Sequence, residues 1–286
     1  MELTFEFWYL FPISLIIATV AMSSGIGGAV FFSPLFMLAL KLEPSIAVGT
    51  ALATEFFGFT SGVVAYSRAK LIDYKLALNL LIFSVPFAIL GSIYGDLVPP
   101  VVLKGIFAVG LLLIGQQLFT SWRKEERMKH EKIRVEEFKN NYESSLTDRN
   151  GNTYNYTICN KNMGRLFAGI GGAFVGMISV GLAELQEYHL VSRCKVPTPV
   201  AVGTSIFVVV ITVFVASAGH IIAFANEGSQ TINQVLNLLI FTAPGVVAGG
   251  QIGAKLQSKV PEDKMKATVS ILFVAVGIFM LYTLIG

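Results

Sequence analysis

The chain has 286 residues, 54% of them hydrophobic and only 14% charged, with a mean hydropathy of +0.68. Soluble domains carry about a quarter charged residues, so this composition excludes an ordinary soluble protein and points to the membrane. The formal charge of +3 comes from Lys and Arg in the gaps between apolar runs and not from a basic face, which argues against nucleic acid as a partner.

Met1-Glu2-Leu3-Thr4-Phe5-Glu6 carries acids where a secretion signal needs a basic region, so the first apolar run is expected to be retained. That run, Phe7–Leu40, has 34 uncharged residues. As one helix it would measure about 51 Å, too long for a core of about 30 Å. It is broken at Ser23-Ser24-Gly25-Ile26-Gly27-Gly28 and again at Pro34, both poor helix interiors. The expected structure is two antiparallel helices joined by a Gly-rich turn at membrane depth. Three uncharged or nearly uncharged spans follow: Ser45–Tyr66 with Glu55 inside it, Leu76–Gly95, and Leu97–Trp122. Residues 122–162 form the one sustained polar stretch, a linker in which Asp148-Arg149-Asn150-Gly151 and the following segment predict a small β-hairpin. Leu166–Val191 then repeats the broken pattern at Ser179-Val180-Gly181, and its second arm carries Glu184, Glu187 and His189. Val196–Asn226, Gly228–Ala254 and Ala267–Gly286 complete the spans. Cys159 and Cys194 lack CxxC spacing, and free thiols are expected, with no zinc site.

Short cytoplasmic loops collect Lys and Arg. If both broken runs return to the side they entered from, 19 of the 21 basic residues share one side, leaving Lys41 and Lys104 opposite. Read as single crossings they divide 13 to 8. The hairpin reading therefore places the linker in the cytoplasm and both termini outside.

Ala47-Val48-Gly49-Thr50 recurs as Ala201-Val202-Gly203-Thr204, and Val85-Pro86 with Gly91 and Gly95 matches Ala243-Pro244 with Gly249 and Gly253. Each half holds five helical elements, an odd number, so the second copy enters from the opposite side. The fold class expected is an all-α polytopic membrane protein of two inverted repeats, each a broken helical hairpin followed by three transmembrane helices. Residues 1–121 make the first repeat and 163–286 the second. The glycine spacings within the later helices are read as close helix packing.

Unwound backbone at membrane depth is tolerated only where it is buried in protein or lines a cavity. Helices starting just after the breaks, at about Ala29 and Leu182, would aim N–H groups and the positive dipole end there. The candidate substrate-binding set is thus Gly25, Gly27, Gly28 and Gly181 at the breaks, with Gly49, Thr50, Gly203, Thr204 and Ser205 from the repeated motif. Glu55, Glu184 and Glu187 are candidates for proton or ion coupling, since intramembrane acids usually face a cavity or partner. Arg193 is placed as an anion attractor near the mouth; a plain topology signal is the other reading. No HExxH, GxSxG, Walker loop or paired-aspartate signature is present, so no enzyme and no cofactor is expected, and any drive must come from an ion or substrate gradient.

With Gly25-Ile26-Gly27-Gly28 and Pro34 in the first hairpin, and Ala47–Thr50 echoed by Ala201–Ser205, the chain resembles the sulfite exporter TauE/SafE family of membrane permeases. The resemblance implies a multi-pass plasma-membrane exporter of sulfite, thiosulfate or organosulfonates. Its partners would be that anion, the lipid bilayer and a proton or other coupling ion, with a homo-oligomer left open. The second hairpin departs from the family's glycine-rich pattern in carrying Glu184 and Glu187. Two other readings stay open: a divalent-cation transporter using Glu184, Glu187 and His189, and a non-transporting sensor or scaffold acting through the linker.

Overall fold

Helix length and hydropathy sort this chain into two kinds of element. A computed structural model describes residues 5–24, 28–130, 144–256 and 262–285. Among the described residues, six helices are long and apolar enough to cross a membrane. They are α3 (Pro44–Arg68), α4 (Tyr74–Leu97), α5 (Pro100–His130), α8 (Thr198–Glu227), α9 (Ser229–Leu256) and α10 (Glu262–Ile285). The protein is an all-α polytopic membrane protein.

The remaining helices come in broken pairs. α1 (Leu10–Ser24) is followed by α2 (Ala29–Pro34), which continues as a wider π turn over Leu35–Ala39. α6 (Lys161–Ile178) is followed by α7 (Leu182–Glu187), which continues as a π turn over Tyr188–Arg193. At 1.5 Å per residue the arm Ala29–Ala39 reaches only about 16 Å, half a bilayer core; at the second break the arm runs back along α6, with Leu182 against Gly171 and His189 against Gly164. The second break shows its chemistry: Ser179 sits at φ 60° and Gly181 at φ 115°, left-handed backbone that glycine adopts at no steric cost. Gly25 and Gly27 lie outside the described residues, but the first break falls between Ser24 and Ala29, as the sequence predicts.

The helix starts are locally specified. Asp73 caps α4, accepting the Leu76 N–H at 3.0 Å, and Asn160 caps α6, accepting the Met163 N–H at 3.2 Å. Pro44 opens α3, where its missing N–H has no intrahelical partner to lose.

Packing pairs α1 with α9 and α4 with α6, α3 with α9 and α4 with α8, and α3 with α8 and α5 with α10. Exchanging the two halves leaves this set of pairs unchanged. Hydroxyl pairs follow the same exchange: Thr54 on α3 meets Thr242 on α9 at 3.0 Å, and Ser84 on α4 meets Thr212 on α8 at 2.9 Å. The glycines read as packing positions are in such contacts. A Cβ on Gly91 would strike the Ala173 carbonyl, and one on Gly249 the Leu15 carbonyl. Helix α3 is central, with 72% of its span buried, whereas α5 and α10 are 28% buried. Their outer faces carry Val101, Leu113, Ile271 and Tyr282, apolar side chains that lipid can solvate.

Two strands, β1 (Ser144–Thr147) and β2 (Thr153–Tyr156), pair antiparallel in the linker. The hairpin is docked on the helix bundle. The Arg149 N–H donates to the Ala69 carbonyl at 3.0 Å, and the buried Tyr156 hydroxyl donates to Asp73 Oδ2 at 2.7 Å. Nearby, the expectation of free thiols is overturned: Cys159, just before α6, is disulfide-bonded to Cys194, at the end of the second hairpin. The sequence separation of 35 carries no pairing signal, and the docking of α6 against the returning arm is what brings the Cα atoms to 5.1 Å.

Candidate functional site at the hairpin tips

Each short arm begins with N–H groups that have no partner within the helix. In both hairpins a carboxylate answers them. Glu55, mid-way along α3 and 5% exposed, accepts the Ala29 N–H at 3.0 Å. Glu184, in the first turn of α7 and 3% exposed, accepts the Gly181 N–H at 3.1 Å. The second contact needs Gly181, whose left-handed φ swings its N–H back toward the side chain three residues on. The two tips also touch each other: Ser33 Oγ and Ser179 Oγ lie 2.6 Å apart, both buried.

One narrow cavity joins these groups, bordered by Val30, Glu55, Ser179, Gly181, Glu184 and Val209. It holds about 10 Å³, room for roughly one water. Val209, offset from Glu55 by the same 154 residues that separate the two Ala-Val-Gly-Thr copies, lines the cavity with an apolar side chain. A second space of about 20 Å³ lies behind Glu55, beside Gly28, Phe32 and Gly58. The arrangement is narrow, and it gathers two acidic side chains around one small space. Burial penalises a charged carboxylate, and the two helix starts offset part of that penalty through hydrogen bonds and dipole.

The repeated motif is elsewhere. Gly49 lies against Phe224 and His220, where a Cβ would collide with the Phe224 ring, and Thr50 Oγ1 donates to the Ile46 carbonyl of its own helix at 2.7 Å. A Cβ on Gly203 would strike the Leu71 carbonyl, while Thr204 Oγ1 accepts the Asp73 N–H at 3.0 Å. Gly203 and Phe224 are 21 residues apart on α8, about 31 Å, so the two motif copies sit near opposite faces of the bundle. They pack helices and fix the loop between α3 and α4. Ser205 is buried, and its hydroxyl has no hydrogen-bond partner among the described residues.

Glu187 is buried, and Arg193 is exposed at the end of the hairpin. His189 is drawn away from the acids. Among the described residues the one group of three metal-capable side chains is Cys159, His189 and Cys194, so the set of Glu184, Glu187 and His189 does not form. Sequence reasoning missed two residues near the tips. Ser33 makes the contact between hairpins, and Gln186, 1% exposed, has both amide atoms without a partner among the described residues. The available signal for Gln186 was the same as for the acids, a polar side chain inside a membrane segment.

The family model for the sulfite exporter TauE/SafE matches residues 10–280. The protein named "Probable membrane transporter protein YunE" of Bacillus subtilis is 25% identical over 284 residues, covering 97% of this chain and 98% of its own. YjnA of the same organism, which carries the same description, is 24% identical over 242 residues, covering 82% and 86%. A probable membrane transporter protein of Methanocaldococcus jannaschii is 22% identical over 298 residues, covering 98% and 99%. No solved structure matches. A family match across nearly the whole chain, on a bundle of six apolar spans and two broken hairpins, makes this a multi-pass membrane transporter, and the chain belongs to the sulfite exporter TauE/SafE family.

Proposed function

We propose that the chain is a secondary transporter that exports small sulfur-containing anions, such as sulfite, thiosulfate or organosulfonates, through the cavity between its hairpin tips. The observation that carries this reading is that two helix starts converge on one cavity and that each is held by a carboxylate, Glu55 on Ala29 and Glu184 on Gly181. A carboxylate is a resident stand-in for a substrate oxyanion: it takes the same N–H groups and the same dipole end. Protonation of one acid removes its charge and weakens its hold on the N–H. A small oxyanion then takes the vacated donors, and loss of the proton expels it. Anion and proton would in this way share one site at different times.

The exchange symmetry of the helix pairs supports the two halves being inverted repeats that rock about this cavity. The tip-to-tip contact of Ser33 and Ser179 would be the gate that parts. The clustering of Lys and Arg supports a cytoplasmic linker and extracytoplasmic termini. Residues 1–121, 122–162 and 163–286 are the proposed units.

The test is ligand stabilisation of the purified protein, comparing sulfite, thiosulfate, sulfate and a sulfonate with divalent cations at two pH values. A sulfur oxyanion is expected to raise Tm more at the lower pH and to lose that effect in Gly181→Leu. A response to cations alone would overturn the reading.

A further inference from the structure

We propose that Cys159, Cys194 and His189 form a redox-gated site for a thiophilic metal ion, separate from the transport cavity. The three side chains arrive from different parts of the fold. Cys159 ends the linker just before α6, while His189 and Cys194 belong to the returning arm of the second hairpin. Their ligand atoms all lie within 4.8 Å of one another. His189 Nε2 stands 3.6 Å from Cys194 Sγ. Two ligands sharing a tetrahedral zinc ion, with Zn–S about 2.3 Å and Zn–N about 2.05 Å, are held about 3.6 Å apart. The imidazole and one sulfur are therefore already at metal-sharing distance.

The ring is also seated for this role. It is 3% exposed, and its first turn of contact with α6 is made possible by Gly164, where a Cβ would come within 2.9 Å of Nε2. Its Nδ1 is buried and has no hydrogen-bond partner among the described residues. Cys194 Sγ lies 3.3 Å from the Cys159 carbonyl, an acceptor usable only by a thiol. A space of about 150 Å³, lined also by Asp73, Lys75 and Asn79, opens beside His189 and Ile158 and gives a small ion a way to the imidazole.

The disulfide and the metal exclude each other, because thiolate and not disulfide sulfur is the metal ligand. A dithiol reductant breaks the Sγ–Sγ bond, supplying two electrons and two protons and closing its own disulfide. Zinc-class ions then bind, the thiol protons leaving to solvent. In a tetrahedral site the sulfurs need to part only to about 3.8 Å. On the proposed orientation this face meets the cytoplasm, where thiols are kept reduced, so the metal-binding form is the resting one. Both forms tie the linker to the second hairpin.

The test uses the full-length protein in detergent with Co²⁺ as a coloured stand-in for Zn²⁺. After dithiol reduction and removal of the reductant, about one Co²⁺ per chain is expected, with a thiolate-to-cobalt charge-transfer band that Zn²⁺ abolishes. The band should be absent from the oxidised protein, and His189→Ala should weaken Co²⁺ binding by tenfold or more. Reduced protein with two titratable thiols and no such band would sink the proposal. So would His189→Ala binding like wild type, or a disulfide that resists dithiol in the folded protein. The comparison of oxidised and reduced wild type stands even if His189→Ala fails to fold.

Discussion

Glu55 is the residue on which charge, backbone and cavity meet. Gln has the same shape and keeps an oxygen to accept the Ala29 N–H, but it cannot titrate. Glu55→Gln is therefore expected to fold with Tm close to wild type while proteoliposome flux loses its dependence on an imposed pH gradient; a preserved dependence would remove Glu55 from coupling. Ser33→Ala breaks the contact between the tips, and Ser179 keeps a second partner in the Ile178 carbonyl at 2.6 Å. The expected cost is about 1 kcal/mol, read by denaturation in detergent. The acids were legible in the sequence because charge inside an apolar span is conspicuous. Their partners were not, since meeting an N–H donor three residues back, or 26 residues away, depends on the φ of Gly181 and the rotation of α3.

Between elements, contact distance is set by what projects from each helix. Gly249→Leu pushes a side chain into the Leu15 carbonyl and should part α1 from α9, destabilising by about 1–3 kcal/mol or more. At Gly105, inside α5, a Cβ meets only Leu284, at 3.8 Å, so Gly105→Ala is expected to hold Tm or raise it slightly through the better helix propensity of Ala. Thermal unfolding of the two variants side by side checks this. The linker hairpin is held to the bundle by Tyr156, whose hydroxyl is pushed to a raised pKa by burial first and by Asp73 second. A raised folded-state pKa means the contact contributes fully below the ordinary tyrosine value of about 10 and fades as pH climbs above it toward the folded value. Tyr156→Phe should cost about 1 kcal/mol at pH 7 and flatten the alkaline fall in Tm. The small-residue spacing identified the packing helices from sequence, whereas the docking of the linker could not be read there, because nothing in a four-residue strand names its tertiary partner.

At the scale of the whole molecule, orientation is the outstanding prediction. Reporters fused at either terminus should read as extracytoplasmic, and a tag inserted at 150–151 as cytoplasmic; a terminus on the linker side would break the hairpin reading. Hydropathy, Gly and Pro by themselves determined the six spans and the two breaks, since crossing length and helix interruption are local properties of the chain. The repeated Ala-Val-Gly-Thr motif supports the proposed internal duplication, but its two copies lie apart from the cavity between the hairpin tips. Its glycines and hydroxyls pack near opposite faces, against Phe224 in one copy and Leu71 and Asp73 in the other. Only the tertiary structure decided which polar groups share a cavity and that Cys159 and Cys194 meet beside His189. Those facts depend on how each helix is rotated about its axis and which neighbour it faces, and one-dimensional spacing does not encode either.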